Sequence, residues 1–294
     1  LREELYQTGI QGVLFILNLP DNRMTRSMVE RFFGAFFKNV IDTAVTFDEM
    51  IAERSLIEAC AWISARCGAA AQVSGAENIP KSGPVLLACN HPGYFESMVI
   101  AAQLPREDLR VVVGGVPYFN SLPNTSQIIF YTDHSPAGSV KVLRDAVRHL
   151  RAGGIVLIYP TGRADPDPDV LPGASKQLEK WSQSVAVMLR RVPATRLVPA
   201  AASGILAPGF LRHPLARIQR RQRYRQRAAE LFQMYRQFRD PDCPPLSRPR
   251  VSFGEPVSGA ELSAGRGKEE IMPEVIGRAR KVLKRHMSLA GREI

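Results

Sequence analysis

Over residues 1–70 apolar positions recur every three to four residues and Gly and Pro are sparse, a spacing that predicts helices. One amphipathic helix runs to about Leu19 and is broken by Pro20-Asp21-Asn22. A second contains Arg31–Lys38, and a third spans roughly Phe47 to Cys67. Four phenylalanines, Phe32, Phe33, Phe36 and Phe37, crowd the second helix. They read either as packing between helices or as an aromatic surface that dips into lipid.

From about residue 70 the pattern changes. Short apolar runs of buried-strand type, Pro84–Cys89, Leu109–Val113, Gln127–Thr132, Ile155–Tyr159 and Arg196–Ala202, alternate with helical stretches at 95–104, Val140–Arg151 and Ser175–Arg191. A short strand at Ala71–Val73 precedes them and Val251–Phe253 follows. A long basic helix is expected from about Arg220 to Phe238, and a last one from Ile271 to His286. Strands alternating with helices predict an α/β fold, a largely parallel central sheet with helices on both faces, preceded by an N-terminal helical segment. The division expected is 1–69, helical and possibly membrane-apposed, and 70–294, α/β with basic C-terminal helices.

Composition narrows the partners. Apolar residues make up 45% of the 294 residues and charged ones 23%, which excludes a disordered tail or a fibre. Lys and Arg outnumber Asp and Glu by 39 to 28, giving +11, a charge suited to anionic partners. Seven arginines, from Arg212 to Arg227, fall within sixteen residues that hold no acid. That run reads as a solvated helix face, a membrane-surface segment or, less well, a nucleic-acid site, since Tyr224 is its one aromatic. Cys60, Cys67, Cys89 and Cys243 fit no zinc or disulfide spacing and read as reduced thiols in a cytosolic setting; no metal is expected. No apolar run reaches the length of a bilayer span. The sequence opens on Leu1 rather than Met, which leaves a removed leader open.

In open α/β sheets ligands sit beyond the carboxyl ends of the strands. After Cys89 comes Asn90-His91-Pro92-Gly93-Tyr94-Phe95-Glu96. His91 leaves the strand, and Glu96, in the first turn of the next helix, is placed to reach back to the ring. A carboxylate on one ring nitrogen fixes the tautomer and leaves the other to accept a proton, the arrangement of a general base. An acid in a first helical turn is also favoured by the helix dipole alone. After Ile158 comes Tyr159-Pro160-Thr161-Gly162-Arg163, a turn with a cation beside it that suits an anion; Pro-x-Gly also marks ordinary turns. Asp133-His134-Ser135 is a further polar strand exit.

These segments, together with Val73–Pro80, Leu150-Arg151-Ala152-Gly153-Gly154, Gly173-Ala174-Ser175-Lys176 and Leu197-Val198-Pro199, resemble in order and spacing the PlsC-type glycerolipid acyltransferase family, the lysophosphatidate and glycerol-3-phosphate acyltransferases. The likeness covers roughly 70–205. It implies an α/β acyltransferase fold seated on a membrane and acyl transfer to a hydroxyl of a glycerophospholipid-type acceptor. The co-substrate implied is acyl-CoA or acyl-carrier protein, with no separate cofactor. It maps the base dyad to His91 and Glu96, and acceptor-phosphate binding to Thr161, Gly162 and Arg163, with His134 beside them. The family pattern has Asp where Glu96 stands, Glu where Thr161 stands, its Arg one place later than Arg163, and Asp-Arg at Asp133-His134. A lysine common after the second of these strands is absent from Gly114-Gly115-Val116-Pro117. The implied partners are an anionic membrane surface, a lysolipid acceptor and the acyl donor, with nucleic acid disfavoured. The implied location is the cytoplasmic face of a membrane, peripheral or monotopic. A non-catalytic lipid- or acyl-binding relative, and an acyltransferase for a different lipid acceptor, stay open alternatives.

Overall fold

The computed structural model describes residues 1–114, 118–133, 135–240, 242–265, 268–289 and 291. In chain order its helices and strands are α1 (Arg2–Leu17), α2 (Arg23–Glu53), α3 (Leu56–Cys67), β1 (Gln72–Ser74), β2 (Val85–Cys89), α4 (Glu96–Ala101), β3 (Leu109–Gly114), β4 (Ile129–Thr132), α5 (Pro136–Arg151), β5 (Ile155–Ile158), α6 (Ala174–Leu178), α7 (Ser184–Arg191), β6 (Arg196–Ser203), α8 (Pro214–Arg217), α9 (Gln222–Arg239), β7 (Arg250–Phe253), β8 (Val257–Ser258), α10 (Gly259–Ser263) and α11 (Lys268–Ser288). The strands form one sheet in the order β1-β7-β6-β2-β5-β3-β4, with β8 on β6. The pairs β2·β5, β2·β6, β3·β5 and β3·β4 are parallel, whereas β6·β7 and β6·β8 are antiparallel. The expected largely parallel α/β architecture is therefore present.

β2 lies at the centre, all five of its residues buried, with Leu87 opposite both Leu157 and Val198. That central place explains its unbroken apolar sequence, because both sheet faces are covered. One core lies on each face. Leu86, Val156 and Leu197 pack with α5, α7 and α11, while Leu87, Leu157 and Val198 share a core with the N-terminal helices and α9.

Two expected helices are divided. The stretch Phe47–Cys67 breaks at Arg54-Ser55, where the Ser55 hydroxyl caps α3 by accepting from the Glu58 N–H at 3.1 Å. The stretch Ser175–Arg191 breaks into α6 and α7, and in the break the Ser182 N–H donates to the Pro160 carbonyl at 2.9 Å. The second interruption ties the helical layer to the loop that leaves β5.

The phenylalanine cluster is mostly interior. Phe33, Phe36 and Phe37 are buried, and Phe32 is exposed. Phe33 meets Tyr235 of α9 edge-on at 5.1 Å between ring centroids and Phe232 at 6.4 Å. The Phe238 carbonyl accepts from the Asn39 side chain at 2.8 Å. The N-terminal helices thus grip α9 and hold it against the sheet. Among the described residues no helix is long and apolar enough to cross a membrane.

Candidate active site

The carboxyl ends of β2, β5 and β6 open side by side, and the loops leaving them converge. The Asn90 side chain closes the exit of β2: its amide donates to the Ala202 carbonyl at 2.9 Å and its oxygen accepts from the Ala202 N–H at 2.8 Å. The next residue, His91, is held by its backbone. Its N–H donates to Asp165 Oδ2 at 2.9 Å, and the Asp165 N–H returns a bond to its carbonyl at 2.8 Å. Gly93 packs so closely on Ile205 that a Cβ would come within 2.3 Å of Cγ2, so this turn has no room for a side chain.

The His91 ring stacks on Tyr159 at 4.4 Å, and the Tyr159 hydroxyl shares a hydrogen bond with Ser97 Oγ at 2.7 Å. Nδ1 of His91 bonds Glu96 Oε1. Glu96 is fully buried, whereas the His91 side chain keeps 25% of its surface open. Among the described residues nothing occupies Nε2. Burial opposes a charge on this imidazole, but the Glu96 carboxylate, through its charge and its hydrogen bond, outweighs burial and holds the His91 pKa above the ordinary 6.5. Because an ionised carboxylate only accepts, the proton of neutral His91 sits on Nδ1 and Nε2 carries the lone pair.

The loop after β5 is ordered from within. The Gly162 N–H donates to the Tyr159 carbonyl at 2.9 Å, and Gly162 takes φ +64°, the left-handed conformation that favours glycine. The Thr161 hydroxyl lies 2.8 Å from the Arg163 carbonyl and 3.3 Å from Asp165 Oδ2. The expected anion-binding turn therefore spends the Gly162 N–H and the Thr161 hydroxyl on its own shape, and Arg163 stands exposed beside it. His134 lies outside the described residues.

Three features go beyond what the sequence pattern predicts. The first is Asp165-Pro166-Asp167-Pro168-Asp169, which follows the turn directly. Asp165 braces His91. Asp167 Oδ1 accepts from Gly204 and Asp169 N–H groups and Oδ2 from those of Ile205 and Leu206, all at 2.8–3.0 Å. Asp169 pairs with Arg250 at 2.5 Å. Burial outweighs the N–H donors that lower them and leaves Asp165 and Asp167 each raised to about 6. The second feature is the inner face of α9, where Gln226, Glu230, Gln233 and Gln237 are all buried. Gln226 Nε2 lies within 2.8 Å of the Pro92 carbonyl, 2.9 Å of the Asp165 carbonyl and 2.8 Å of Glu230 Oε1. Gln233 donates to the Ile205 carbonyl at 2.8 Å and accepts from the Ala207 N–H at 2.7 Å. This helix is the floor under the loops from β2, β5 and β6. The third is Tyr159, which carries the His91 ring.

Within the described residues no cluster of three or more His, Cys, Asp or Glu is arranged to hold a metal ion. The four cysteines are free thiols.

The site is thus an imidazole–carboxylate pair at the carboxyl ends of the central strands of an α/β sheet. Residues 70–203, a little under half of the chain, match the model of the Acyltransferase family. The chain also aligns with the crystal structure of the 1-acyl-sn-glycerophosphate (LPA) acyltransferase PlsC from Thermotoga maritima, at 15% identity and TM-score 0.47, over 96% of this chain and 88% of that one. No curated protein matches the sequence significantly.

Proposed function

We propose that the protein moves a fatty acyl group from an acyl thioester, on CoA or on acyl-carrier protein, to a hydroxyl of a lysophospholipid-type acceptor. The observation that carries this reading is the His91–Glu96 pair, with Nδ1 engaged and Nε2 unoccupied on a ring still open to solvent. His91 Nε2 takes the acceptor hydroxyl proton as that oxygen attacks the thioester carbonyl. The tetrahedral intermediate collapses by breaking the C–S bond, and the imidazolium returns its proton to the leaving thiolate. Glu96 keeps the tautomer correct and stabilises the imidazolium formed during the step, without itself taking the proton. No acyl-enzyme forms. Arg163 stands ready for an anionic acceptor.

The acid limb of the pH profile tests the pair. Because Glu96 raises the His91 pKa, kcat/KM rises with pH through an inflection above 6.5. Glu96→Gln removes the charge that raises it and leaves the burial that lowers it, so the inflection moves to lower pH while kcat falls. A rate–pH series on both proteins measures this, and an unmoved inflection overturns the role of Glu96. The same raised pKa makes folding of the His91–Glu96 region more favourable below pH 6.5, a contribution that disappears as pH rises through the folded value.

We also infer peripheral contact with an anionic membrane. Met24, Met28 and Phe32 recur every four residues along α2 and are exposed, Met24 at 77% and Phe32 at 64%; Arg23 and Arg31 are exposed beside them. Apolar side chains flanked by arginines suit the interface of an acidic bilayer. The expected result is co-flotation with vesicles of phosphatidylglycerol, weakened by salt and by Met24→Ser with Phe32→Ser. Equal flotation with neutral phosphatidylcholine vesicles overturns the electrostatic part.

A further inference from the structure

We infer that Arg227, on α9 and beyond the matched residues 70–203, binds a phosphate-bearing group at the His91 site and so sets acceptor selectivity. The inference rests on the acyl-transfer reading for what the phosphate belongs to. Its guanidinium carbon stands 5.5 Å from the Tyr94 ring centroid, and Tyr94 lies on the loop between His91 and Glu96. The neighbouring Gln226 is bonded to Pro92 and to Asp165, so this turn of α9 is fixed to both loops that bound the site. Arg227 is only half-buried, unlike Gln226 and Glu230 on either side of it.

Its charge acts on His91, alongside Glu96 and Asp165. Glu96 is engaged by His91, and Glu230 Oε1 by Gln226. Among the described residues no carboxylate lies within contact distance of Arg227, and Glu230 and Glu96 act on it through their charge. Burial opposes that charge, but Tyr94 and the charges of Glu230 and Glu96 outweigh burial and keep the guanidinium charged; a bound phosphate would supply carboxylate-like acceptors in the bidentate geometry that suits it. The loop after β5 brings Arg163 to the site from the sheet side. Arg227 therefore adds a second cation from a different element, held by the ring of Tyr94.

The test compares wild type, Arg227→Met and Arg227→Lys on lysophosphatidate, glycerol 3-phosphate and monoacylglycerol with one acyl-CoA. Calorimetric binding of glycerol 3-phosphate is measured in parallel. Removing a charge-assisted hydrogen bond to phosphate predicts a fall of about ten- to a hundredfold in the ratio of kcat/KM for phosphorylated over unphosphorylated acceptor. The effect should lie mainly in KM, and Arg227→Lys should recover part of it. A rise in KM for the acceptor upholds the inference; a rise confined to acyl-CoA assigns the phosphate to the donor and overturns the role in acceptor selectivity. An equal fall on all three acceptors, reversed by adding Glu230→Gln, makes Arg227 a counter-charge to Glu230 and overturns the inference. If wild type turns over no acceptor, the acyl-transfer reading fails. The calorimetry then decides Arg227 alone: weaker glycerol 3-phosphate binding by Arg227→Met upholds it, and unchanged or absent wild-type binding overturns it.

Discussion

Replacing His91 by alanine should lower kcat for acyl transfer by about 10²–10⁴-fold, the usual contribution of a general base, and leave the fold in place. The fold survives because the surroundings hold the position through its backbone. The His91 N–H and carbonyl are both taken by Asp165, and Asn90 fixes the preceding residue to Ala202. The ring contributes stacking on Tyr159 and the bond to Glu96. Its removal does leave a fully buried carboxylate without its partner, a cost expected to appear as a lower melting temperature. Initial-rate assays beside circular dichroism separate the two effects. Turnover near the wild-type rate by a folded His91→Ala protein would remove the imidazole from the chemistry.

The second large effect is on stability. Asp167→Ala should destabilise the protein by about 3–5 kcal/mol, because four backbone N–H groups lose their acceptor at once and each buried donor left unmet costs roughly 1–3 kcal/mol. Asp167 itself is 0% exposed, so water reaches the gap poorly. Three of those donors belong to Gly204, Ile205 and Leu206, and Ile205 packs on Gly93 in the His91 turn. The damage should therefore reach activity, with a rise in protease sensitivity around 204–206. Urea unfolding gives the first number; a change below about 1 kcal/mol would show that the cradle is replaceable. The pH dependence has a definite sign. The folded Asp167 pKa is raised from 3.8 to about 6, so its contribution is greatest below pH 3.8 and declines as pH rises through 6.

Much of the sheet was legible because β2, β5 and β6 are buried on both faces and so carry unbroken apolar runs. The His91–Glu96 contact was legible too, since five residues span a strand exit and one helical turn. Asp165, Asp167 and Asp169 were not. Each carboxylate serves a different distant segment, His91, the 204–206 loop and Arg250, and no local pattern names those partners. Their alternation with Pro166 and Pro168 was the available signal. Proline removes N–H groups and restricts the residue before it to extended backbone, which sends alternate side chains to opposite sides. The inner face of helix α9 was hidden for another reason. Its arginines dominate the composition and read as a solvated face, a membrane-surface segment or a nucleic-acid site, yet Gln226, Glu230, Gln233 and Gln237 fall at spacings of four, three and four, one helical stripe. A polar stripe facing inward has to be recognised by the loops it serves, and those lie far away in the chain.

That distance has a consequence for how the protein is made. Gln226 follows the Pro92 carbonyl it holds by 134 residues. During synthesis the sheet strands from β2 to β6 leave the ribosome well before α9 does, so the histidine turn emerges with no floor beneath it. The floor is laid when the arginine-rich helix packs between the N-terminal aromatics and the strands β2 to β6, before β7 and β8 complete the sheet. The histidine turn is thus braced in two stages: first by Asp165 and the Asn90–Ala202 pair, within the strands already made, and later from below by Gln226.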